Sequence, residues 1–190
     1  MFQYHPEGMS DKGFTLLELM VATAVLVVGL MATALLLTRV YQVTDRSRYM
    51  SMATTFCSEK LEDLERWGLN QPAISMAGAD TSEGSLTANV SNTVNGTTVY
   101  YYDTVGMTVS NGVFTETVGT SGSYSTVTED PQGHLTTGNN TAPSGTLFQR
   151  RWLVELNQPV TGVRRITVVV TLMDQTVQPP VSVQMSAVRQ

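Results

Sequence analysis

The feature that most constrains this chain is a long apolar run, residues 19–37, that stands directly behind a carboxylate. Only Thr23, Gly29 and Thr33 interrupt the run. Its length is close to the roughly 20 residues that an α-helix needs to cross a bilayer. A carboxylate within such a segment costs roughly 2.5–3.5 kcal/mol on insertion scales, so it is retained where it has a role. The sequence therefore predicts a membrane-anchored helix in which Glu18 is functional.

The residues around the start of this run form a recognisable signal. Lys12-Gly13-Phe14-Thr15-Leu16-Leu17-Glu18 resembles the type III signal of type IV prepilins and of type II secretion pseudopilins. The resemblance implies that a membrane prepilin peptidase cuts between Gly13 and Phe14. It also implies that the same enzyme methylates the new N-terminus, so that Phe14 becomes N-methylphenylalanine.

An ordinary secretory signal or a plain single-pass anchor is the alternative interpretation of residues 1–38. A secretory signal has a basic start, an apolar core and a small-residue cleavage site after that core. Here the polar leader precedes the apolar run, contains Pro6, Glu7 and Asp11, and has Lys12 as its only lysine or arginine. The pattern favours the prepilin-type signal.

The composition divides the chain into four segments. Residues 1–13 are a leader peptide, 14–38 a transmembrane or assembly helix, 39–68 the amphipathic half of the same helix, and 69–190 a β-rich globular domain. Residues 14–67 contain no proline, and Gly68, Asn70 and Pro72 form a helix stop. At 1.5 Å per residue this helix would be about 80 Å long. Its second half must therefore extend beyond a bilayer.

The second half of the predicted helix carries an apolar stripe at helical spacing. The stripe consists of Met50, Ala53, Cys57, Leu61, Leu64 and Gly68. We expect it to pack on a sheet formed by the downstream residues. Cys57 is the only cysteine, so no intramolecular disulfide can form, and its place in the stripe indicates a small buried hydrophobe.

After residue 69 the pattern changes to alternating β-branched and aromatic residues. Strands are predicted at 97–102, 112–115, 124–127, 148–156, 166–172 and 181–188, and residues 133–145 are predicted to form a mobile loop. Asn111-Gly112 is typical of a hairpin turn. The fold class is therefore α+β, with a long N-terminal helix packed on an antiparallel sheet. Sequential pairing is the simplest topology.

The closing strands extend the resemblance. Arg151–Val154 and Arg164–Val170, with the helix residues Ala53–Leu64, are similar to minor pilins of the PilV kind and to minor pseudopilins. The resemblance implies the pilin fold and a structural role. It also implies that Glu18 pairs with the N-terminal amine of a neighbouring subunit in a filament. The implied partners are other pilin or pseudopilin subunits, the peptidase/methyltransferase, the inner-membrane assembly platform and membrane lipid.

No pattern predicts catalysis, a metal or a cofactor. Outside the leader the only histidine is His134, which is far in sequence from Cys57, and Glu129-Asp130 precedes Pro131 as turn residues do. The run Tyr100–Tyr102 is interpreted as strand residues alternating between two faces rather than as an adhesive patch. A net charge of −5 argues against nucleic-acid binding.

The sequence therefore predicts a minor structural subunit of a type IV pilus or a related filament. Such a subunit is a single-pass inner-membrane protein with a periplasmic domain, and it later enters a surface pilus or a periplasmic pseudopilus. Two alternatives remain open. One is a minor pseudopilin of type II secretion, and the other is a tip adhesin or DNA-uptake subunit that makes its contacts through residues 70–145.

Overall fold

A computed structural model describes residues 15–68, 71, 74, 81–94, 96–120, 122–139 and 141–190. It contains one long helix, α1 (Leu16–Arg66). Two compact units are present, Met1–Thr44 and Asp45–Gln190. In the described part of the first unit, α1 is the regular structure, and all strands belong to the second. The helix ends as predicted, one residue before Trp67 and two before Gly68.

Ten strands follow the helix in the described residues. They are β1 (Ser82–Gly84), β2 (Ser91–Val94), β3 (Thr97–Tyr100), β4 (Tyr102–Ser110), β5 (Val113–Thr120), β6 (Ser123–Glu129), β7 (Leu135–Asn139), β8 (Thr146–Leu156), β9 (Arg164–Leu172) and β10 (Ser182–Arg189). Eight of them form one antiparallel sheet in the order β10-β9-β8-β4-β5-β6-β7, with β1 also paired to β8. Strands β2 and β3 form a separate hairpin.

The main sheet consists of two meanders joined at one seam. Strands β4 to β7 pair in sequence, and so do β8 to β10, but the join is the pairing of β4 with β8. The prediction of sequential pairing was therefore wrong at this seam. Strand β8 is long enough to pair with β4 through residues 146–151 and with β1 through residues 153–155. It thereby holds both meanders together.

The core lies between α1 and the central strands. Helix residues Ala53, Phe56, Cys57 and Leu64 are buried there against strand residues Val105, Phe148, Trp152, Val154, Ile166, Val168 and Val170. Phe56 meets Phe148 edge to face, with ring centroids 5.3 Å apart. The α+β architecture predicted from the sequence, a long N-terminal helix packed on an antiparallel sheet, is confirmed.

The helix stripe differs from its prediction at both ends. Met50 and Gly68 are exposed, whereas Phe56 and Lys60 are buried, so the buried stripe is centred one residue earlier in the turn than expected. The buried position of Cys57 is confirmed. A period of threes and fours leaves the centre of the face undetermined to within one residue, and the sheet determines it here.

Two further strand predictions need correction. Residues 97–102 do not form one strand, because Tyr101 bends the chain between β3 and β4 while its backbone binds Val90 and Trp152. Residues 133–145, predicted as a mobile loop, contain β7, which pairs with β6. The Asn111-Gly112 hairpin is confirmed. Both residues have positive φ, 51° and 79°, as a tight turn between β4 and β5 requires.

Candidate functional site

The helix begins at a capping arrangement that includes the predicted assembly residue. Thr15 precedes the first helical residue, and its Oγ1 accepts a hydrogen bond from the Glu18 backbone N–H at 3.3 Å. This is half of a capping box, and an acid in the first turn also suits the helix dipole. In the described part of the chain the Glu18 carboxylate makes no ion pair, and the residue is exposed. Gly13 and Phe14 lie outside the described residues.

The first unit presents an almost wholly apolar helix surface. An 18-residue window of α1 has a mean hydropathy of 2.5, and none of it is buried. The exposed large side chains are Leu16, Leu17, Leu19, Met20, Val21, Val25, Leu26, Val27, Val28, Leu30, Met31, Leu35, Leu36, Leu37, Val40, Tyr41 and Val43. Such a continuous patch marks a surface that lipid or other proteins cover.

The polar groups within this helix surface are already satisfied. The hydroxyls of Thr23, Thr33 and Thr38 each donate to a carbonyl one turn earlier in the helix, at 2.9–3.0 Å. A hydroxyl bonded in this way can enter hydrocarbon or a helix bundle without an unpaired donor. Glu18 is the one ionisable side chain between Leu16 and Thr38, so it is the one group of this surface that could carry an unpaired charge.

In the second half of the helix, by contrast, a charged side chain is buried and paired within the chain. Lys60 lies in the buried stripe, with its Nζ 3.0 Å from Asp103 Oδ2 on β4. Arg150 on β8 donates to both oxygens of the same carboxylate, from Nε to Oδ1 at 2.6 Å and from Nη2 to Oδ2 at 2.9 Å. Lys60 Nζ also stands 4.1 Å from the ring centroid of Trp152. One carboxylate therefore joins the helix to two strands of the sheet.

The electrostatics of this buried cluster follow from its composition. Burial by itself would raise the pKa of the Asp103 carboxyl, but the charges of Lys60 and Arg150 outweigh burial and hold that pKa below its usual value. On the neighbouring surface, burial and the charge of Glu59 raise the pKa of Glu116. Burial also raises the pKa of the Cys57 thiol, whose Sγ contacts the Val168 carbonyl at 3.4 Å. This thiol is a packing group.

The remaining chemical candidates serve a turn. Asp130 accepts hydrogen bonds from the backbone N–H groups of Gln132 and His134 at 2.9 Å and 2.8 Å, and its other oxygen lies 3.0 Å from His134 Nδ1. The bonds from His134 in particular lower the pKa of Asp130. In the described part of the chain no group of three or more His, Cys, Asp or Glu side chains could hold a metal ion.

The Lys60–Asp103–Arg150 cluster is the part of the structure that sequence reasoning missed. A signal existed, because Lys60 follows Cys57 by three residues and precedes Leu64 by four, inside the apolar stripe. A lysine in that position must reach a carboxylate of the sheet. The sequence offers no means to choose Asp103 among the acids downstream, since that choice depends on the β4–β8 seam.

Comparison with known proteins identifies the N-terminal segment. Residues 8–34 match the family model of the prokaryotic N-terminal methylation motif. No curated protein and no solved structure matches the chain. The matched segment spans Gly13, Phe14 and Glu18, and it coincides with the start of the exposed apolar helix. That helix and the motif are consistent with a single-pass protein anchored in the inner membrane. Residues 8–34 thus carry a type IV pilin-type methylation motif, which supports a pilin-like or pseudopilin structural subunit.

Proposed function

We propose that this chain is a minor subunit of a type IV pilus or a closely related filament. One observation carries the proposal: a methylation motif at residues 8–34 covers the start of a helix whose 18-residue apolar window is entirely exposed. Within the bilayer that surface contacts lipid, and within a filament it contacts the helices of other subunits. The exchange of lipid for protein requires no large hydrophobic gain, because lipid tails and leucine side chains are similarly apolar.

The chain enters the membrane as a precursor with residues 39–190 in the periplasm. The prepilin peptidase cuts between Gly13 and Phe14 and methylates Phe14. Residues 14–38 then serve as anchor and assembly helix, and residues 69–190 form the globular domain. The inner-membrane assembly platform transfers the subunit into the filament. There the Glu18 carboxylate pairs with the N-terminal amine of a neighbouring subunit and sets the axial register.

The intact mass of subunit recovered from sheared surface filaments tests this proposal. We expect a chain that begins at methylated Phe14, and we expect Gly13→Leu to leave full-length precursor in the membrane. A mature chain that begins at another residue would contradict the proposed processing. The same fractionation separates the two filament types. Subunit in sheared fibres indicates a pilus, whereas a processed subunit that stays in the cell envelope indicates a type II secretion pseudopilus.

An adhesive or DNA-uptake role at the filament tip is the second candidate. The second unit favours adhesion over DNA uptake, because its carboxylates outnumber its basic residues and phosphate contacts require the reverse.

A further inference from the structure

A cavity opens within the Asp45–Gln190 unit at the end of the helix. Its volume is about 600 Å³, within the range of small-molecule sites. Lys60 of α1 and Trp67 just after it form one side. Strand β3, the start of β4, the end of β5 and the start of β6 form the other side, and Trp152 of β8 also lines the space. All the described residues that line it belong to the Asp45–Gln190 unit.

Four aromatic side chains are among the residues that line the cavity. Trp67, Trp152, Tyr100 and Tyr102 all line it. Tyr100 and Tyr102 pack edge to face, with centroids 5.8 Å apart and an angle of 87° between the rings. Both tyrosines are only half-buried, whereas Tyr101 between them is fully buried in the core. The chain therefore presents two flat rings to the cavity at a place where the strand is bent.

Hydrogen-bond donors without partners accompany these rings. Among the described residues Trp152 Nε1 and Thr120 Oγ1 are buried and have no hydrogen-bond partner, and Trp152 as a whole is only 3% exposed. A buried indole N–H normally has an acceptor, so each exception calls for an explanation. Lys60 has three N–H donors, and within the described chain Asp103 is its one ion-pair partner.

The one carboxylate among the described residues that line the cavity is already in use. Both carboxylate oxygens of Asp103 bind Arg150, and one of them also binds Lys60. The lining therefore has spare donors and hydroxyl groups but no free carboxylate among the described residues. A fitting ligand must supply acceptor oxygens to the donors and an apolar face to the rings.

We propose that this cavity binds the pyranose ring of a saccharide. Such a ring offers a C–H face to stack on Tyr100 or Tyr102, and its hydroxyl and ring oxygens accept from Lys60 and from the hydroxyls that line the cavity. A small inorganic anion would satisfy the donors and leave the rings uncovered. A purely aromatic ligand would cover the rings and leave the donors unpaired. The inference does not depend on filament assembly, because the cavity lies wholly within the second unit.

The chain provides its own probe for this site. Its only two tryptophans, Trp67 and Trp152, both line the cavity. The full-length protein is placed in micelles of a zwitterionic detergent, because a sugar-headed detergent would compete for the site. Methyl β-glucopyranoside, methyl β-galactopyranoside and N-acetylglucosamine are then titrated against tryptophan fluorescence. Sorbitol, which has hydroxyls but no ring, is the matched control. We expect a saturable change with at least one pyranose and none with sorbitol.

Variants locate the response. Tyr100→Ala should raise the dissociation constant about tenfold through the loss of one stacking face. Tyr100→Leu keeps apolar bulk without a flat ring and should weaken binding in the same way. It serves as the test if the alanine variant folds poorly. Tyr41→Ala, the same change at an exposed helix residue outside the cavity, should leave the constant unchanged. The proposal is overturned if no pyranose gives a saturable change, if sorbitol gives the same change, or if both Tyr100 variants bind as the wild type does.

Discussion

The two halves of the same helix differ in whether a charged side chain is buried and has an ionic partner within the chain. In the first, Glu18 is the one ionisable residue between Leu16 and Thr38, and within the described chain its carboxylate has no ionic partner. In the second, Lys60 is buried, but Asp103, Arg150 and the ring of Trp152 surround it. The buried charge of Lys60 is therefore neutralised by a carboxylate of the chain's own sheet. In the proposed filament, the Glu18 carboxylate is paired instead with the N-terminal amine of a neighbouring subunit. Loss of Lys60's partners should therefore damage folding, and loss of Glu18 should damage assembly.

The largest expected effect on stability is at Asp103. Asp103→Asn leaves Lys60 and Arg150 buried without a counter-charge, so we expect a loss of about 3–5 kcal/mol in unfolding free energy. Urea unfolding at pH 7, followed by tryptophan fluorescence of the detergent-solubilised chain, measures it. Asp63→Asn removes an exposed carboxylate from the same helix and should change stability by less than about 0.5 kcal/mol. Equal effects of the two variants would show that the cluster does not hold the helix to the sheet.

The difference in unfolding free energy between the wild type and Asp103→Asn should depend on pH in a defined way. Because the folded state lowers the pKa of Asp103, its contribution is complete above the unfolded value of about 3.8. It is lost only as the pH falls through the lower folded pKa. The wild-type advantage over Asp103→Asn should therefore stay constant near neutrality and shrink only in strong acid.

An intermediate effect is expected in the β4–β5 hairpin, away from both charged sites. Gly112 has a φ of 79°, and an added Cβ would also stand 3.3 Å from the Pro131 ring. Gly112→Ala should therefore cost about 1–2 kcal/mol in the same urea assay. Gly138→Ala is the matched control, since it meets no atom within 4 Å and its backbone lies outside the left-handed region. It should be neutral or slightly stabilising.

The smallest expected effect is at Glu116, beside the cluster. Its pKa is raised by burial and by the charge of Glu59, so its ionised form weakens the fold as the pH rises above about 4.5. Glu116→Gln should stabilise the protein at pH 7 by about 0.5 kcal/mol or less, given the partial exposure of the group. The gain should disappear below pH 4.5. A loss of stability at pH 7 would mean that Glu116 is a favourable partner of Arg150.

The helix and the closing strands could be predicted because their signals are local. The absence of proline, the stop at Gly68 and the alternation in residues 148–188 each act within one element. Strand β7 was missed because Gly138 and Asn139 have weak strand propensity, and pairing with β6 is what orders them. The bend at Tyr101 was missed because its cause is backbone bonding to residues distant in sequence.

The candidate sites divide in the same way. Glu18 was predicted as an assembly residue because an acid at the start of an apolar run is conspicuous in any sequence. The Asp103 cluster was not found, since it requires β4 and β8 to be neighbours although 35 residues, 111–145, separate them. The tyrosine run was interpreted as simple alternation. The burial agrees with that interpretation, since Tyr101 is buried in the core while Tyr100 and Tyr102 lie together on the other face, against a cavity.

The most direct test of the account is the ratio of subunit in sheared filaments to subunit in membranes for Glu18→Ala and Glu18→Gln. Glu62→Gln, at an exposed carboxylate on the same helix, is the control. Both Glu18 variants should insert in the membrane and be cut after Gly13, because insertion loses a charge penalty and the peptidase acts at the glycine. Their ratios should fall at least about tenfold, since the amine of a neighbouring subunit then lacks its partner. Ratios equal to those of the wild type and of Glu62→Gln would contradict the claim that the Glu18 carboxylate pairs with a neighbouring subunit.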